Sequence, residues 1–319
     1  MERECDKMKA ESQNSQKRRG APFQRRQRMS QLSNIKNVKE ILARHGFTFS
    51  KKLGQNFIVN PSICPRIAEL GGAGPDTGVL EIGPGLGVLT WELAARARKV
   101  VAVELDERLL PVLGETLAGF DNVKVIQADV LKIDLDALLR QEFPNMEVVI
   151  CANLPYYITS PIVMRLLETR LPVKAITVMV QKEAAARICA APGSRNAGAL
   201  SAAVSYYAVP QILFPVSRGS FMPAPEVDSA VIRLDIRPQP AVSPVDEALF
   251  FKVIRAGFSQ RRKTLSNSLS SGLGLAKDQT SAALQQVGLR PSARAEELTL
   301  EDFCRLTSQI FEDHFDKKV

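Results

Sequence analysis

The stretch Val79-Leu80-Glu81-Ile82-Gly83-Pro84-Gly85-Leu86-Gly87 places a short apolar run directly before a glycine-rich turn. The apolar run is typical of a buried strand, and a helical pattern over residues 86–97 follows it. Glycines at such a turn let the backbone bend sharply and approach a bound ligand closely. The stretch therefore predicts a βα unit with a ligand site at the carboxyl end of its strand.

The same alternation of strand and helix continues along the chain. Short strands separated by helical segments favour βαβ units and a parallel sheet. Further strands are predicted at Lys99–Val103, Val123–Gln127, Val148–Cys151 and Ala175–Val180, with helices at 106–117 and 162–167. Two more extended runs, Ser201–Val209 and Ser229–Ile236, are predicted to add antiparallel strands at the sheet edge.

Composition changes at both ends of this pattern. Residues 1–33 are polar, charged and without apolar periodicity, so we expect a disordered basic tail. The tail is either an RNA-binding arm or sequence upstream of a translation start at Met29. Three prolines in Arg237–Pro244 mark a linker. We therefore predict an α/β domain at residues 34–240 and a helical domain at residues 241–319.

Composition also removes several classes of function. The 319 residues include five cysteines without a C-x-x-C pair and only two histidines. A disulfide framework, a zinc site and a Ser-His-Asp triad are therefore disfavoured, and we expect no metal. No apolar run reaches the roughly 18 residues that a membrane helix needs. The N-terminus lacks a secretory signal, so a cytoplasmic protein is expected.

The net charge of +8 suggests a nucleic-acid partner only in part. Residues 1–36 hold ten Lys and Arg against four Asp and Glu, so most of the excess lies in the tail. One cluster outside it, residues 251–263, carries five basic residues and no acid. We predict that this run contacts phosphates. Its candidate residues are Arg255, Arg261, Arg262 and Lys263.

The glycine turn and two later acids predict a nucleoside site. The spacing is G-x-G-x-G, and Val88 stands where a dinucleotide fingerprint needs glycine or alanine. Glu104, at the end of the next strand, can accept both ribose hydroxyl hydrogens. Asp129 can reach an adenine amine, and its neighbour Val130 can offer apolar contact. Each acid alone is more often a cap, but together they favour S-adenosylmethionine over NAD.

The strand Val148–Cys151 leads into Asn153-Leu154-Pro155-Tyr156, which resembles the signature of methyltransferases that act on nucleobase amines. The Asn153 oxygen and the Leu154 carbonyl can hold both N6 hydrogens of adenine and aim the nitrogen lone pair. Pro155 stiffens the loop, and Tyr156 offers a stacking face. In Phe221–Ser229, Phe221 either closes the opposite face of the base or is a buried anchor of its loop.

Together these motifs resemble the KsgA-type small-subunit rRNA adenine dimethyltransferases, from about Asn34 to the C-terminus. The resemblance implies a Rossmann-like class I methyltransferase sheet with a small C-terminal helical domain. It also implies dimethylation of two adjacent adenosines near the 3′ end of 16S rRNA in the small ribosomal subunit or its precursor. By motif, it assigns cofactor contact to Asn56, Ile58, Gly83, Glu104, Asp129 and Asn153, and target-base contact to Asn153, Leu154, Tyr156 and Phe221. The glycine turn, the neighbour of Asp129 and the loop chemistry add Gly85 and Val130 to the predicted cofactor site and Pro155 to the predicted catalytic loop.

Three alternatives remain open at this stage. The Erm-type large-subunit rRNA methyltransferases share the cofactor site, but Leu154 and the Leu53-Gly54 pair favour the KsgA type. A non-catalytic RNA-binding factor would not need an intact Asn153–Tyr156 loop. An NAD-dependent oxidoreductase would need the third glycine and a catalytic histidine. A monomer is the default expectation.

Overall fold

A computed structural model describes residues 34–49 and 54–314. The predicted basic tail at residues 1–33 lies outside them. Leu53, part of the Leu53-Gly54 pair that favours the KsgA type over the Erm type, also lies outside the described residues. The end of the predicted helical domain, residues 315–319, lies outside them too.

A seven-stranded sheet forms the centre of the fold, with strand order β4-β3-β2-β5-β6-β9-β7. The first five strands of that order are parallel, and β9 runs antiparallel to both of its neighbours. The sheet strands are β2 (Thr77–Ile82), β3 (Lys99–Glu104), β4 (Val123–Gln127), β5 (Glu147–Asn153), β6 (Ala175–Gln181), β7 (Ala208–Val216) and β9 (Ser229–Ile236). A separate two-stranded ladder pairs β1 (Phe57–Ile58) with β8 (Phe221–Met222).

Helices cover both faces of the sheet. Before and between the strands lie α1 (Ile35–Arg44), α2 (Ile63–Leu70), α3 (Val88–Ala94), α4 (Leu110–Thr116), α5 (Leu135–Glu142), α6 (Thr159–Glu168), α7 (Lys182–Ile188) and α8 (Ala199–Tyr207). After the sheet come α9 (Glu247–Phe258), α10 (Leu265–Leu273), α11 (Lys277–Gln286) and α12 (Leu300–His314). The predicted fold class, a mostly parallel α/β sheet with a helical C-terminal region, is confirmed.

The central strands are buried on both faces, which explains their continuous apolar runs. Successive side chains of a strand point to opposite faces. Leu80 and Ile82 accordingly join one core cluster, while Val79 joins the other, together with α1 to α4. Because both faces are sealed in this way, only the ends of the strands are available for a site.

The predicted edge strand Ser201–Val209 is wrong for most of its length. Residues 199–207 form helix α8, and the strand begins only at Ala208. The helix starts where the Ser201 hydroxyl accepts a hydrogen bond from the Gly198 N–H at 2.9 Å. Nearly all of α8 is buried, so its sequence lacks the amphipathic period that would have marked it as a helix.

The C-terminal helices dock on the sheet domain through aromatic side chains. Tyr206 packs against Phe250 with ring centroids 5.4 Å apart, and Tyr207 stacks on Phe251 at 5.6 Å. Glu247, at the start of α9, accepts hydrogen bonds from the hydroxyls of Tyr206 and Tyr207 at 2.9 and 3.2 Å. One buried cluster therefore continues from the sheet into these helices, and the boundary at residue 240 stays a prediction.

Candidate active site

A cleft opens at the carboxyl ends of β2, β3 and β5. The chain adds β3 and β4 on one side of β2 and then crosses to add β5 on the other side, so the strand order changes direction between β2 and β5. Open α/β sheets bind ligands at this switch point. We call this cleft the strand-end cleft. It is lined by every residue predicted for cofactor contact: Asn56, Ile58, Gly83, Gly85, Glu104, Asp129, Val130 and Asn153.

The glycine turn forms the floor of the strand-end cleft. Gly83, Gly85 and Gly87 have φ angles of 68°, 59° and 82°, a region that side chains disfavour. The Gly83 N–H donates to the Val103 carbonyl at 2.9 Å, which fixes the turn on β3. A Cβ on Gly85 would lie 3.2 Å from the Phe57 ring, so the turn also leaves room for β1.

Glu104 is held rigidly at the end of β3. Its side chain is buried, with one oxygen accepting from the Asp106 N–H at 2.9 Å and the other from the Gly85 N–H at 3.2 Å. Burial raises the pKa of Glu104, and these main-chain donors partly offset the effect. Each carboxylate oxygen keeps a further lone pair for a ribose hydroxyl.

Glu81 lines the same cleft, although the sequence analysis gave it no role. It is 1% exposed, and burial raises its pKa to about 8, with the charge of Glu104 adding to the rise. Its Oε2 is buried without a hydrogen bond of ordinary length among the described residues, and the nearby Thr90 hydroxyl offsets part of the rise in pKa. A cationic ligand group beside this carboxyl would favour its ionised form.

Asp129 has two tasks at the end of β4. Its Oδ1 accepts from the Leu131 N–H at 2.9 Å, as a turn residue does, and Lys132 Nζ lies 3.3 Å from Oδ2. The side chain nevertheless lines the cleft, beside the buried Val130. The turn therefore holds the carboxylate in place while leaving it at the cleft wall.

The loop after β5 brings two acceptor oxygens to the cleft. Asn153 Nδ2 donates to the Asn56 carbonyl at 3.3 Å, and the Leu154 N–H donates to the Met179 carbonyl at 3.2 Å. These two bonds orient the Asn153 amide and the main chain at Leu154. Neither Asn153 Oδ1 nor the Leu154 carbonyl accepts a hydrogen bond from a residue within 34–49 or 54–314. Both oxygens remain available to amine hydrogens of a ligand.

Pro155 and Tyr156 complete this loop at the mouth of the cleft. The Tyr156 hydroxyl lies 2.6 Å from Ser229 Oγ, and Ser229 is fully buried at the start of β9. Burial raises the pKa of Tyr156, and the bond to Ser229 offsets part of the rise. The bond anchors the ring and leaves its face as the feature that a base can use.

Phe221 is not brought to the cleft wall. It is 4% exposed, packs in the core cluster under β1 and stands opposite Ile58 in the β1–β8 ladder. This placement agrees with the alternative that Phe221 anchors its loop. Within Phe221–Ser229, Ser229 is the residue that contacts the site, through the Tyr156 hydroxyl. The spacing of residues in the sequence does not predict this contact.

A second contact missed by the sequence analysis fixes the segment before Asn56. Gln55 Nε2 donates to Asp106 Oδ2 at 2.7 Å, and Arg108 Nε donates to Asp106 Oδ1 at 2.8 Å. The Arg108 guanidinium lies 5.0 Å from the centre of the Phe47 ring. It also lowers the pKa of Asp106, so the pair stays charged. The segment is thereby tied to the loop after Glu104.

A second cleft lies between the sheet domain and the C-terminal helices, and we call it the basic cleft. Ser160, Arg187, Arg261 and Lys263 contribute to its lining. None of its three cations forms an ion pair with any residue of the described ranges. Of the predicted phosphate contacts, Arg255 and Arg262 are exposed but lie outside this lining.

The described ranges hold neither a metal-ligand cluster nor a membrane-spanning helix. Within residues 34–49 and 54–314, no group of three or more His, Cys, Asp or Glu could hold a metal ion. In the same part of the chain, no helix is long and apolar enough to span a membrane.

Comparisons with known proteins agree on one family. The family model described as Ribosomal RNA adenine dimethylase matches residues 46–312. A Geobacillus thermodenitrificans protein named Ribosomal RNA small subunit methyltransferase A is 49% identical over 277 residues, covering 86% of this chain and 94% of that protein. A Bacillus mycoides protein of the same name is 46% identical over 286 residues, covering 88% and 98%.

Two solved structures share the fold. A dimethyladenosine transferase from Plasmodium falciparum superposes with a TM-score of 0.67 at 26% identity, covering 80% of this chain and 98% of its own. The 23S rRNA methyltransferase ErmE superposes with a TM-score of 0.61 at 30% identity, covering 80% and 99%. The chain belongs to the ribosomal RNA adenine dimethylase family, whose members are S-adenosylmethionine-dependent methyltransferases.

Proposed function

We propose that this chain transfers methyl groups from S-adenosylmethionine to the N6 amines of two adjacent adenosines in the 3′-terminal hairpin loop of 16S rRNA. The product is N6,N6-dimethyladenosine. Relatives at 46% and 49% identity are named for the small subunit, which supports this choice of substrate. The partner is 16S rRNA in the small subunit or its precursor, and the protein acts in the cytoplasm as a monomer.

The free acceptors of Asn153 and Leu154, at the wall shared with Glu104, carry the proposal. The lone pair of an adenine amine is delocalised into the ring, so the amine is a poor nucleophile. Two acceptors that hold both N6 hydrogens favour a pyramidal nitrogen and direct its lone pair. The Asn153 Nδ2 bond to Asn56 leaves Oδ1 as the acceptor of that amide.

The cofactor half of the cleft suits S-adenosylmethionine. Glu104 binds the ribose hydroxyls, Asp129 the adenine amine, and the turn Gly83–Gly87 lets the backbone approach the linker. A positively charged cofactor group would favour the ionised form of the buried Glu81 carboxyl. When bound, the sulfonium supplies an electrophilic methyl group. The adenine nitrogen would form the new N–C bond as the S–C bond to the methyl group breaks and the neutral thioether leaves. The methylated nitrogen would then lose a proton to water, so no strong base is needed.

RNA binding is assigned to the cations of the C-terminal side. Arg261 and Lys263 line the basic cleft, and Arg255 and Arg262 lie exposed beside it in the same run. Cations without carboxylate partners are available to phosphates. Since double-helical RNA is recognised mainly by shape, the C-terminal helices are proposed to bind the stem of the hairpin.

The test is methyl transfer from labelled S-adenosylmethionine to undermethylated small subunits. We expect Asn153→Ala to lower kcat by about 100-fold or more, as loss of a positioned polar group does, while cofactor affinity changes far less. Asn153→Asp keeps an acceptor oxygen and should retain more activity than the alanine variant. Equal activity of wild type and Asn153→Ala would refute the role of the loop.

The similarity to ErmE makes the large subunit the matched control substrate. Undermethylated large subunits should accept no label under the same conditions. Label on 23S rRNA in place of 16S rRNA would overturn the substrate assignment while leaving the methyltransferase chemistry intact. Cofactor binding without transfer to either subunit would instead support a non-catalytic RNA-binding protein.

A further inference from the structure

Tyr157 places an aromatic ring in solvent at the rim of the strand-end cleft. The side chain is 55% exposed, whereas the neighbouring Tyr156 is half-buried. Both residues line the cleft. The proposed reaction gives Tyr156 a task and leaves none for Tyr157.

The ring of Tyr157 is held in place from one side. Gly54 has a φ of +57°, and a Cβ built on it would lie 3.2 Å from Tyr157 Cδ1 and 3.4 Å from Cε1. The same point lies 3.7 Å from Pro155 Cβ. The ring therefore rests against the glycine backbone while the rest of it stays open to solvent. A side chain fixed in this way loses little conformational entropy when a ligand stacks on it.

Tyr156 and Tyr157 cannot enclose the same base. They are consecutive residues of the short 3₁₀ segment Tyr156–Ile158. With about three residues per turn, neighbouring side chains of such a segment point roughly 120° apart. Tyr156 is turned towards Ser229 in the protein interior, whereas Tyr157 faces outward. Any base on Tyr157 is thus a different base from the one on Tyr156.

Tyr157 also stands between the two clefts. Three residues further along the chain, Ser160 lines the basic cleft together with Arg187, Arg261 and Lys263. Because Tyr157 lines one cleft and Ser160 the other, an RNA strand with one base beside Asn153 and its phosphates on these cations would pass residues 157–160. The nucleotide next to the target base would then meet the exposed ring.

We infer that Tyr157 is a stacking platform for the base of the nucleotide adjacent to the target adenosine. The inference rests on the proposed function and identifies a further substrate contact for it. Single-stranded RNA loops are recognised by splayed bases that stack on aromatic side chains. Loss of such a contact weakens binding by roughly tenfold or more per base. Tyr157 acts on RNA binding and touches no reacting atom.

The experiment compares Tyr157→Phe, Tyr157→Leu and Tyr157→Ala with wild type. Methyl transfer to undermethylated small subunits gives KM and kcat, and calorimetry gives the affinity for S-adenosylmethionine. We expect the leucine and alanine variants to raise KM about tenfold with kcat nearly unchanged, because the lost contact binds the ground state and the transition state equally. Phenylalanine keeps the ring and should stay close to wild type. Cofactor affinity should be equal in all four proteins.

Three results would overturn the platform. One is an unchanged KM in Tyr157→Ala. The second is full function in Tyr157→Leu, since apolar bulk would then suffice. The third is weakened cofactor binding in Tyr157→Ala, which would make the residue a support for the Gly54 segment. If wild type itself transfers no methyl to small subunits, the proposed function fails as well. Normal wild-type transfer with an unaffected alanine variant rejects the platform alone.

Discussion

Glu81 is the penultimate residue of strand β2. Its carboxyl is buried, and one carboxyl oxygen has no hydrogen bond of ordinary length among the described residues. Burial raises its pKa from 4.5 to about 8, whereas in the unfolded chain it titrates near 4.5. Between these two values the folded state binds more protons than the unfolded state. The free energy of unfolding therefore falls as pH rises from 4.5 to 8, and the benefit of the neutral carboxyl is complete only below 4.5.

Replacing Glu81 by glutamine keeps the shape and removes the titration. One pKa unit corresponds to about 1.4 kcal/mol, so the cost of the ionised form is on the order of a few kcal/mol at the alkaline end. We expect Glu81→Gln to raise Tm by about 5 °C at the alkaline end and little at the acidic end. Thermal melts of the cofactor-free protein across this window measure it. A Tm difference between Glu81→Gln and wild type that is the same at every pH would contradict the prediction.

At the scale of residues, the sequence predicted which groups line the cleft better than how they are held. Gly83, Glu104, Asp129 and Asn153 lie at or just after strand ends, and strand ends of a parallel sheet meet at one edge. Their positions could therefore be predicted from the order of the strands. The bond from Tyr156 to Ser229 joins residues 73 positions apart, and nothing local in the sequence encodes it.

At the scale of elements, apolar patterns worked where a strand or helix had a characteristic period. The central strands were predicted because each is a short apolar run. Helix α8 has six of its nine residues buried, and its sequence pattern favours a strand. Helix α5 is absent from the sequence-based prediction, although the sequence carries its signal. Asp134 accepts a hydrogen bond from the Ala137 N–H at 3.0 Å as the cap, and Leu135, Leu138 and Leu139 follow at helical spacing.

The turn between β2 and α3 gives a prediction for this scale. Gly85→Ala puts a side chain at a φ of 59° and within 3.2 Å of the Phe57 ring. The left-handed conformation alone costs about 1–2 kcal/mol. We expect a lower urea midpoint and weaker cofactor binding, because the turn must shift away from Phe57.

Gly114→Ala is the matched control for this change. Gly114 lies in the exposed part of α4, and a Cβ there meets nothing within 4 Å. The change should stabilise the helix by about 0.5–1 kcal/mol and leave cofactor affinity unaltered. If Gly85→Ala and Gly114→Ala had the same urea midpoint and the same cofactor affinity, a side chain at position 85 would not strain the turn.

At the scale of the whole molecule, the junction between the sheet and the C-terminal helices creates the basic cleft. The composition shift at Arg237–Pro244 indicates where the chain changes character. It does not indicate that Tyr207 stacks on Phe251 or that Glu247 receives both tyrosine hydroxyls. These contacts fix the cleft because they hold α9, and with it the run ending at Lys263, against the sheet domain.

The basic cleft should determine how RNA affinity responds to salt. Each phosphate contact releases bound counterions, so affinity falls with salt concentration at a slope proportional to the number of contacts. We expect the triple change Arg261→Ala, Arg262→Ala and Lys263→Ala to weaken binding of undermethylated 16S rRNA. The slope of log affinity against log salt should also become shallower by about 2–3. Filter binding over a series of potassium chloride concentrations gives both values.

A second triple variant separates local contact from overall charge. Lys277→Ala, Arg290→Ala and Arg305→Ala remove the same net charge from the same group of helices but lie outside the lining of the basic cleft. Arg290 and Arg305 are already paired, with Glu297 at 2.9 Å and Asp302 at 2.6 Å. If the cleft cations touch phosphates, this control keeps nearly the wild-type slope. Equal slopes in the two triples would mean that the long-range field of the domain, and no particular cation, attracts the RNA.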